Sequence, residues 1–311
     1  MQIVQPTIDV CVASYKRPQQ LETLLHSLVT QETDGEIRFR IVVADNDAAR
    51  TAEPVVRAFA ASGIELRYDV EPRQSISLAR NKALSLASAG LIATTDDDLY
   101  VEPRWLLTLY RAMTAYDADV VHGPVIPEFP PRTPAWICDC PIFNRPNPPT
   151  GSTDGYVYST ANALFRRSLI ADRATPFDPR FGRTGGEDSA FFNGLRDRGA
   201  RMVWCREAQV IGPVSPARAN LRWLLQRRFR YGNLHPLNGV RPTRPSDVAA
   251  VGTEAVKHTL AAPLYLAAGL VARRHRDRGM KALLALLLHA AFVLGVVSHY
   301  VGYVYEEYRP R

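Results

Sequence analysis

The residues best suited to chemistry in this chain are Asp96, Asp97 and Asp98, three consecutive carboxylates reached through the β-prone run Leu91-Ile92-Ala93-Thr94-Thr95. Adjacent anions repel one another, and where protein excludes water that repulsion is costly without a cation. Hard divalent ions such as Mg²⁺ or Mn²⁺ take oxygen ligands, commonly one or two carboxylates completed by a substrate's phosphates. The same triplet also suits an acidic surface turn or a helix cap. Position favours the metal, because open α/β sheets collect ligands just beyond the carboxyl ends of their strands. A second acidic pair, Glu187-Asp188, follows the glycine-bearing approach Phe181-Gly182-Arg183-Thr184-Gly185-Gly186. A general base must sit within hydrogen-bond reach of the hydroxyl it deprotonates. Carboxylates at a helix start could do this, or could simply complement the helix dipole.

Cationic candidates accompany both groups. Arg17 lies in Ser14-Tyr15-Lys16-Arg17-Pro18, where an apolar strand breaks into a helix. Pro18 suits the first helical position, and helix N-termini favour anions. Arg80, beside Asn81 on the early turns of a helix, could reach a base or phosphate, or point to solvent. Trp223–Tyr231 reads W-L-L-Q-R-R-F-R-Y, and the planar fork of arginine matches phosphate oxygens. A plain basic helix face is the alternative there. No G-x-G-x-x-G follows the first strand and no G-x-x-x-x-G-K-[ST] occurs, which argues against a dinucleotide site or a P-loop.

These groups need a scaffold, and the periodicity supplies one. Apolar strands are predicted at Ile8–Ala13, Phe39–Ala44, Ile64–Val70 and the run before the acids. Helices are predicted from Pro18, over Thr51–Ser62, Ser75–Ala89 and Arg104–Tyr116. That alternation predicts a mostly parallel, doubly wound α/β sheet with right-handed crossovers. From Val120 prolines crowd the chain, among them Pro124, Pro130, Pro131, Pro134, Pro148 and Pro149, with Phe129, Trp136 and Phe143 between them. This predicts loop, not helix, of the kind that often forms lids or binding loops. Tyr156–Phe165 is strand-like, and Ser189–Arg198 is helical in pattern.

The 311 residues are 46% apolar and 22% charged, enough for a real core and unlike a disordered chain. A net charge of +7 suits anionic partners such as nucleotides and phospholipid surfaces. Met1–Pro6 is polar and does not resemble a secretory signal. Cys11, Cys138, Cys140 and Cys205 lack zinc-like spacing and are read as reduced thiols of a cytosolic domain. Pro236–Asp247 reads as a linker. Beyond it, Thr259–Ala272 is shorter than the roughly 20 residues a spanning helix needs, whereas Ala282–Val304 is long enough. If both spanned, the basic run Arg273–Arg278 would face away from the cytosol, against the positive-inside rule. A membrane-surface helical hairpin, or one span with a short tail, is the expectation. The domain division expected is 1–240 for the catalytic sheet and 241–311 for a helical, membrane-associating region.

Taken in order, Ser14-Tyr15-x-Arg17-Pro18, Val43-Ala44-Asp45-Asn46, Leu78-Ala79-Arg80-Asn81, Asp96-Asp97-Asp98 and Gly186-Glu187-Asp188 resemble the inverting glycosyltransferases of family 2. The resemblance spans roughly residues 7–235 and implies the nucleotide-sugar-binding fold called GT-A. In texture it is similar to bacterial enzymes that build exopolysaccharide repeat units on lipid-linked sugars. It implies that Ala13, Tyr15 and Asp45 hold the nucleotide base, with Arg17 and Arg80 on the donor. Asp96 would lie near the ribose, and Asp98 would ligate a divalent ion (Mn²⁺ or Mg²⁺) with Asp96 and Asp97 beside it. Asp188 would be the catalytic base, with Glu187 orienting the acceptor. Arg227, Arg230 and Tyr231 are similar to an element that grips donor phosphates or the acceptor chain. Thr94-Thr95, Ala48 and Ala190 depart from residues common in the family.

The implied reaction is transfer of a sugar from a nucleotide diphosphate, UDP by expectation, to a lipid-linked saccharide at the cytoplasmic face of a membrane. No nucleic acid partner is expected. A sugar-phosphate nucleotidyltransferase would share the sheet and acids but would want a glycine-rich phosphate loop after the first strand, and Ser14–Pro18 has no glycine. A non-catalytic nucleotide- or polysaccharide-binding module would have no need of Asp188.

Overall fold

A computed structural model describes residues 5–155, 157–235 and 276–308. The expected linker and Thr259–Ala272 lie outside the described residues. The chain forms two compact units: Met1–Pro127 with Pro146–Pro213 and Glu307–Arg311, and Glu128–Arg145 with Val214–Glu306. Helix α7 (Leu221–Leu234), expected with the catalytic sheet, belongs to the second unit because its main packing partner is the C-terminal helix Arg276–Tyr300.

The first unit is the α/β sheet. Strands β1 (Thr7–Ser14), β2 (Arg38–Asp45), β3 (Leu66–Val70) and β4 (Leu91–Thr95) alternate with helices α1 (Pro18–Val29), α2 (Glu53–Ala58) and α3 (Ile76–Leu86). A short β5 (Tyr100–Val101) precedes α4 (Trp105–Ala115), then β6 (Val120–His122), β7 (Val125–Glu128) and α5 (Ala135–Cys138). Strand β8 (Asn162–Arg166), α6 (Glu187–Asp197), β9 (Met202–Trp204) and β10 (Val210–Pro213) complete it, whereas α5 belongs to the second unit. The main sheet has the order β3-β2-β1-β4-β8-β6-β9, and a small second sheet has β5-β10-β7. Strands β1 to β4 pair in parallel, as the alternation predicts, whereas β8 is antiparallel to both β4 and β6.

Alternation along the strands sends side chains to two cores. Ile8, Val10 and Val12 of β1 meet Leu21, Leu24, Leu25 and Leu28 of α1 on one face, while Cys11 meets Ala83 and Leu84 of α3 on the other. Apolar burial on both faces is what makes these strands near-continuous hydrophobic runs. Two expectations need correction. The proline-crowded stretch is not all loop: β6 and β7 pair into the sheets, and Pro134 caps the single turn of α5. The predicted strand Tyr156–Phe165 is confined to β8, because the preceding residues turn away to support Asp188.

Asn162 stands at the start of β8 with its side chain fully buried and fully used. It accepts from Trp105 Nε1 at 2.8 Å and donates to the carbonyls of Pro124 and Ala208 at 2.8 and 2.7 Å. Gly123 lies against this hub, where a Cβ would come 2.3 Å from the Ala208 carbonyl oxygen. The substitution Asn162→Leu strands the buried indole N–H and two carbonyls, each at about 1–3 kcal/mol. A clear fall in the thermal unfolding midpoint is the expected result by calorimetry, with Trp105→Phe recovering part of it.

Candidate active site

The acids of the first unit converge beyond the carboxyl ends of β1, β2 and β4, and helix α3 holds them in place. Asn46, just past β2, donates to the carbonyls of Glu71 and Arg73 and accepts from Ser75 N–H. Ser75 in turn caps α3 by accepting from Leu78 N–H. Farther along, Asn81 makes a reciprocal pair of hydrogen bonds with the backbone of Phe177, and Ile76 N–H donates to Gly182 O. Gly182 can approach this closely because it lacks a Cβ, which would lie 2.0 Å from Ser75 Oγ. The glycine approach then reaches Gly186, whose φ of 94° suits a residue without a side chain. Helix α6 starts one residue later, at Glu187, so both acids lie in its first turn.

Two arginines organise the carboxylates. Arg17 bonds Asp97 Oδ1 at 2.8 Å and Asp98 Oδ2 at 3.2 Å. Ser14 Oγ donates to the other Asp97 oxygen at 2.9 Å. Arg80 bonds Asp96 Oδ1 at 3.0 Å and also pairs with Glu187 Oε1. Burial works against the Arg80 charge, but Glu187, Asp96 and Asp188 more than offset it and raise its pKa. For Asp97, burial dominates over Arg17 and pushes the carboxyl up to about 6. Desolvation, then repulsion from Asp98 and Asp188, also raises Asp96 against the pull of Arg80.

Asp188 is held differently. Its Oδ1 accepts from Ser189 N–H at 2.7 Å and its Oδ2 from Ser159 Oγ at 3.3 Å. Ser159 belongs to the segment before β8, and that segment packs through Tyr158 against His122 at 5.4 Å. The His122 ring also meets Phe192 of α6 at 4.4 Å, and burial pushes its pKa down to about 3, so it is neutral at physiological pH.

The sequence-predicted donor residues divide. Ala13 and Tyr15 stand at the end of β1, with Lys16 Nζ 5.1 Å from the Tyr15 ring centroid. Asp45 is fully buried: Asp47 N–H, Ala52 N–H and Tyr68 O–H all donate to it, at 3.0, 2.9 and 3.0 Å. Its carboxylate therefore shapes the Asp45–Ala52 turn. Arg227, Arg230 and Tyr231 belong to the second unit and form a cluster of their own. Both Arg227 Nε and Arg145 Nη2 donate to Tyr231 Oη, at 3.1 and 3.4 Å. Burial opposes ionisation of this phenol, but Arg227 and Arg145 prevail and lower its pKa. Sequence reasoning missed Ser14 as an acid partner, Ser159, His122, Arg145 and Tyr308, whose N–H donates to Arg183 O at 2.9 Å. Only Ser14 sat in a recognised motif; the others are remote in sequence from what they touch.

Carboxylate oxygen is the right donor for a hard divalent ion, and crowding among Asp96, Asp98 and Asp188 is what such an ion would relieve. Among the described residues no three His, Cys, Asp or Glu side chains form a ready cage. The all-oxygen donors and their crowding fit such an ion.

The doubly wound sheet thus has convergent acids at its strand ends and a glycine-flanked acidic helix start beside them. The family model "Glycosyl transferase family 2" matches residues 9–173. The chain is 32% identical over 307 residues to the succinoglycan biosynthesis protein ExoM of Rhizobium meliloti (strain 1021), covering 94% of this chain and 93% of that protein. The chain belongs to glycosyltransferase family 2. Its fold is similar to that of the mannosyltransferase PcManGT from Pyrobaculum calidifontis in complex with GDP-Man and Mn²⁺, with a TM-score of 0.60 and 16% identity over 96% of this chain and 88% of that one. It is also similar to S. aureus TarS 1-349 in complex with UDP, with a TM-score of 0.53 and 14% identity over 93% and 92% of the two chains.

Because the folded Asp97 carboxyl holds its proton up to about pH 6, above the ordinary aspartate range, it favours the folded state most at pH below that ordinary range. That contribution is lost as pH rises through about 6. Urea unfolding across pH 4 to 7 is expected to register the loss, and Asp97→Asn to flatten that part of the profile. An Asp97→Asn profile parallel to the parent's would contradict the assignment.

Proposed function

We propose that the enzyme transfers a sugar, with inversion, from a nucleotide-diphosphate sugar to a lipid-linked saccharide in the biosynthesis of a bacterial exopolysaccharide. The observation that carries this reading is the pairing of two acid groups by Arg80, which binds Asp96 at the strand end and Glu187 at the start of α6. A donor held at the first group then lies beside a base in the second. ExoM, by its printed name a succinoglycan biosynthesis protein, supports the exopolysaccharide assignment. The UDP complex of TarS supports UDP as the donor nucleotide.

In this reading Ala13 and Tyr15 border the base, and Asp45 acts through the turn it organises. Arg17 and Arg80 hold the acids in position. Four carboxylates on two guanidiniums leave an excess of negative charge before any diphosphate arrives. Asp98 and Asp96 would hold a divalent ion there, with Asp97 anchored behind them on Ser14 and Arg17. The ion supplies charge neutralisation for the departing nucleoside diphosphate. The PcManGT complex with Mn²⁺ supports this choice of group.

Asp188 accepts the proton of the attacking acceptor hydroxyl on its carboxylate. Glu187 is nearly fully buried and committed to Arg80, so its part is to fix the start of α6 and the angle of its neighbour. Ser159 Oγ donates to Asp188 Oδ2 and restricts the rotation of that carboxylate. The deprotonated hydroxyl attacks the anomeric carbon opposite the leaving phosphate oxygen, which inverts that carbon without an enzyme-bound sugar. In the second unit, Arg145, Arg227 and Tyr231 form a cationic cluster with chemistry suited to a phosphate-bearing acceptor. The apolar C-terminal helix supports an acceptor presented at a membrane, with the cytoplasmic face as the side on which nucleotide sugars are found.

Two substitutions test the assignments. Asp188→Asn keeps the size of the side chain but cannot take the proton, so transfer should fall about 10²–10⁴-fold with donor affinity nearly unchanged. Retained turnover with weakened donor binding would make Asp188 a binding residue. Asp98→Ala should abolish UDP-dependent Mn²⁺ binding, read by electron paramagnetic resonance. Undiminished Mn²⁺ binding would remove Asp98 from the metal site.

A further inference from the structure

The C-terminal helix Arg276–Tyr300 contains an apolar window, Leu283–Tyr300, of mean hydropathy 1.9, long enough to cross a bilayer. Its packing says otherwise. Along one side it is locked to α7 at two glycines. A Cβ on Gly232 would lie 2.0 Å from Phe292 O, and one on Gly295 would lie 2.0 Å from Phe229 O. The two backbones therefore touch. Asn233, completely buried, fastens the contact by donating to Ser298 Oγ at 2.9 Å and Tyr303 O at 2.7 Å. It also accepts from Tyr305 N–H at 2.8 Å, which holds the chain beyond the helix in place. Toward the other end, Leu284 and Leu288 pack on Leu224 and Ile142, and Lys281 Nζ bonds Asp139 Oδ2 at 2.6 Å.

Helix α7 is no partner for a spanning segment. It carries Arg222, Arg227, Arg228 and Arg230 within 14 residues. A C-terminal helix inserted across hydrocarbon would take these arginines with it, and charges at bilayer depth are strongly disfavoured. Separating the helices instead would strand the Asn233 amide.

The opposite side of the C-terminal helix is apolar and bare. Leu294 is 61% exposed, Val297 follows it at helical spacing, and Val301, one residue past the helix end with its N–H still donating to Val297 O, is 78% exposed. Tyr300 and Val304 extend the exposed run, and Tyr303, half exposed, turns its ring toward Phe229 of α7. Tyrosines beside aliphatic residues are the composition favoured where headgroups meet acyl chains. The chain's net charge of +7 complements an anionic leaflet.

We propose that this outer face, centred on Leu294, Val297 and Val301, docks the enzyme on an anionic phospholipid bilayer, with the helix lying in the interface and not crossing it. The inference deepens the reading of a membrane-presented acceptor by naming the surface and the mode of attachment. It is tested without turnover, so an error in the donor or acceptor assignment would leave its outcome unchanged.

The experiment is flotation of the full chain with vesicles of phosphatidylcholine containing phosphatidylglycerol, against vesicles of phosphatidylcholine alone. Binding should be stronger to the anionic vesicles and weaken as salt is raised. The triple substitution Leu294→Ser, Val297→Ser, Val301→Ser should reduce vesicle binding roughly tenfold or more, while the circular dichroism melt stays close to that of the parent. The single substitution Val301→Ser, at the most exposed position, provides a milder variant with a smaller loss in the same direction. Alkaline carbonate should release the bound parent protein from the vesicles. Binding by the triple variant equal to the parent's would overturn the docking face. Retention through carbonate would overturn the in-plane mode. A stable dimer that ignores vesicles, and that the triple variant dissolves, would assign the face to a second copy and overturn the proposal.

Discussion

Two arginines holding four carboxylates are the interaction on which the catalytic unit depends. Arg17 binds Asp97 and Asp98, and Arg80 binds Asp96 and Glu187. Removing one partner from a buried ion pair leaves an uncompensated charge, which costs far more than the pair contributes. Each guanidinium is shared between two acids, so the acids are placed relative to one another as well as neutralised. The fork of arginine makes that sharing possible; a lysine would offer one compact charge and no fixed geometry. The four carboxylates outnumber the two guanidiniums, so the strand end keeps a negative excess.

Helix α3 is the rod that carries this arrangement. Its cap is tied to the end of β2 through Asn46, its Arg80 reaches both acid groups, and its Asn81 holds the chain at Phe177. The glycine approach to Glu187-Asp188 is thereby anchored at Gly182 before it turns at Gly186. The left-handed backbone at Gly185 and Gly186 lets α6 begin with both carboxylates in its first turn, where the helix dipole favours them. The Asp188 carboxylate is thereby fixed by backbone geometry, with Ser159 as its side-chain tether.

In the second unit the organising constraint is close backbone approach. Gly232 and Gly295 remove the side chains that would keep α7 and the C-terminal helix apart, and Asn233 satisfies polar groups that this contact buries. The arginines of α7 find aromatic rings as well as acceptors. Arg228 lies 4.6 Å from the centroid of Phe292, and Arg227 5.1 Å from that of Tyr231. The C-terminal helix is thus committed to α7 along one side and exposes apolar side chains along the other.

Much of the scaffold was legible because period and punctuation are local. The strand cores from β1 to β4, the starts of α1 and α3 and the acid-bearing turns follow from alternation, Pro18, Ser75 and the glycines, each acting within a few residues. The order of the motifs also carried the family. Other features required the folded chain, because they are contacts between residues far apart in sequence. The antiparallel insertion of β8, the burial of Asp45 within its own turn and the tether from Ser159 to Asp188 are of this kind. The use of Arg80 as a bridge between two acid groups belongs with them: a sequence marks it as a cation on a helix, but its partners lie 16 and 107 residues away. The sequence by itself determined which elements form and which charges lie at their ends. Tertiary structure decided which of those charges meet, because pairing depends on sheet order and helix packing that no local window contains.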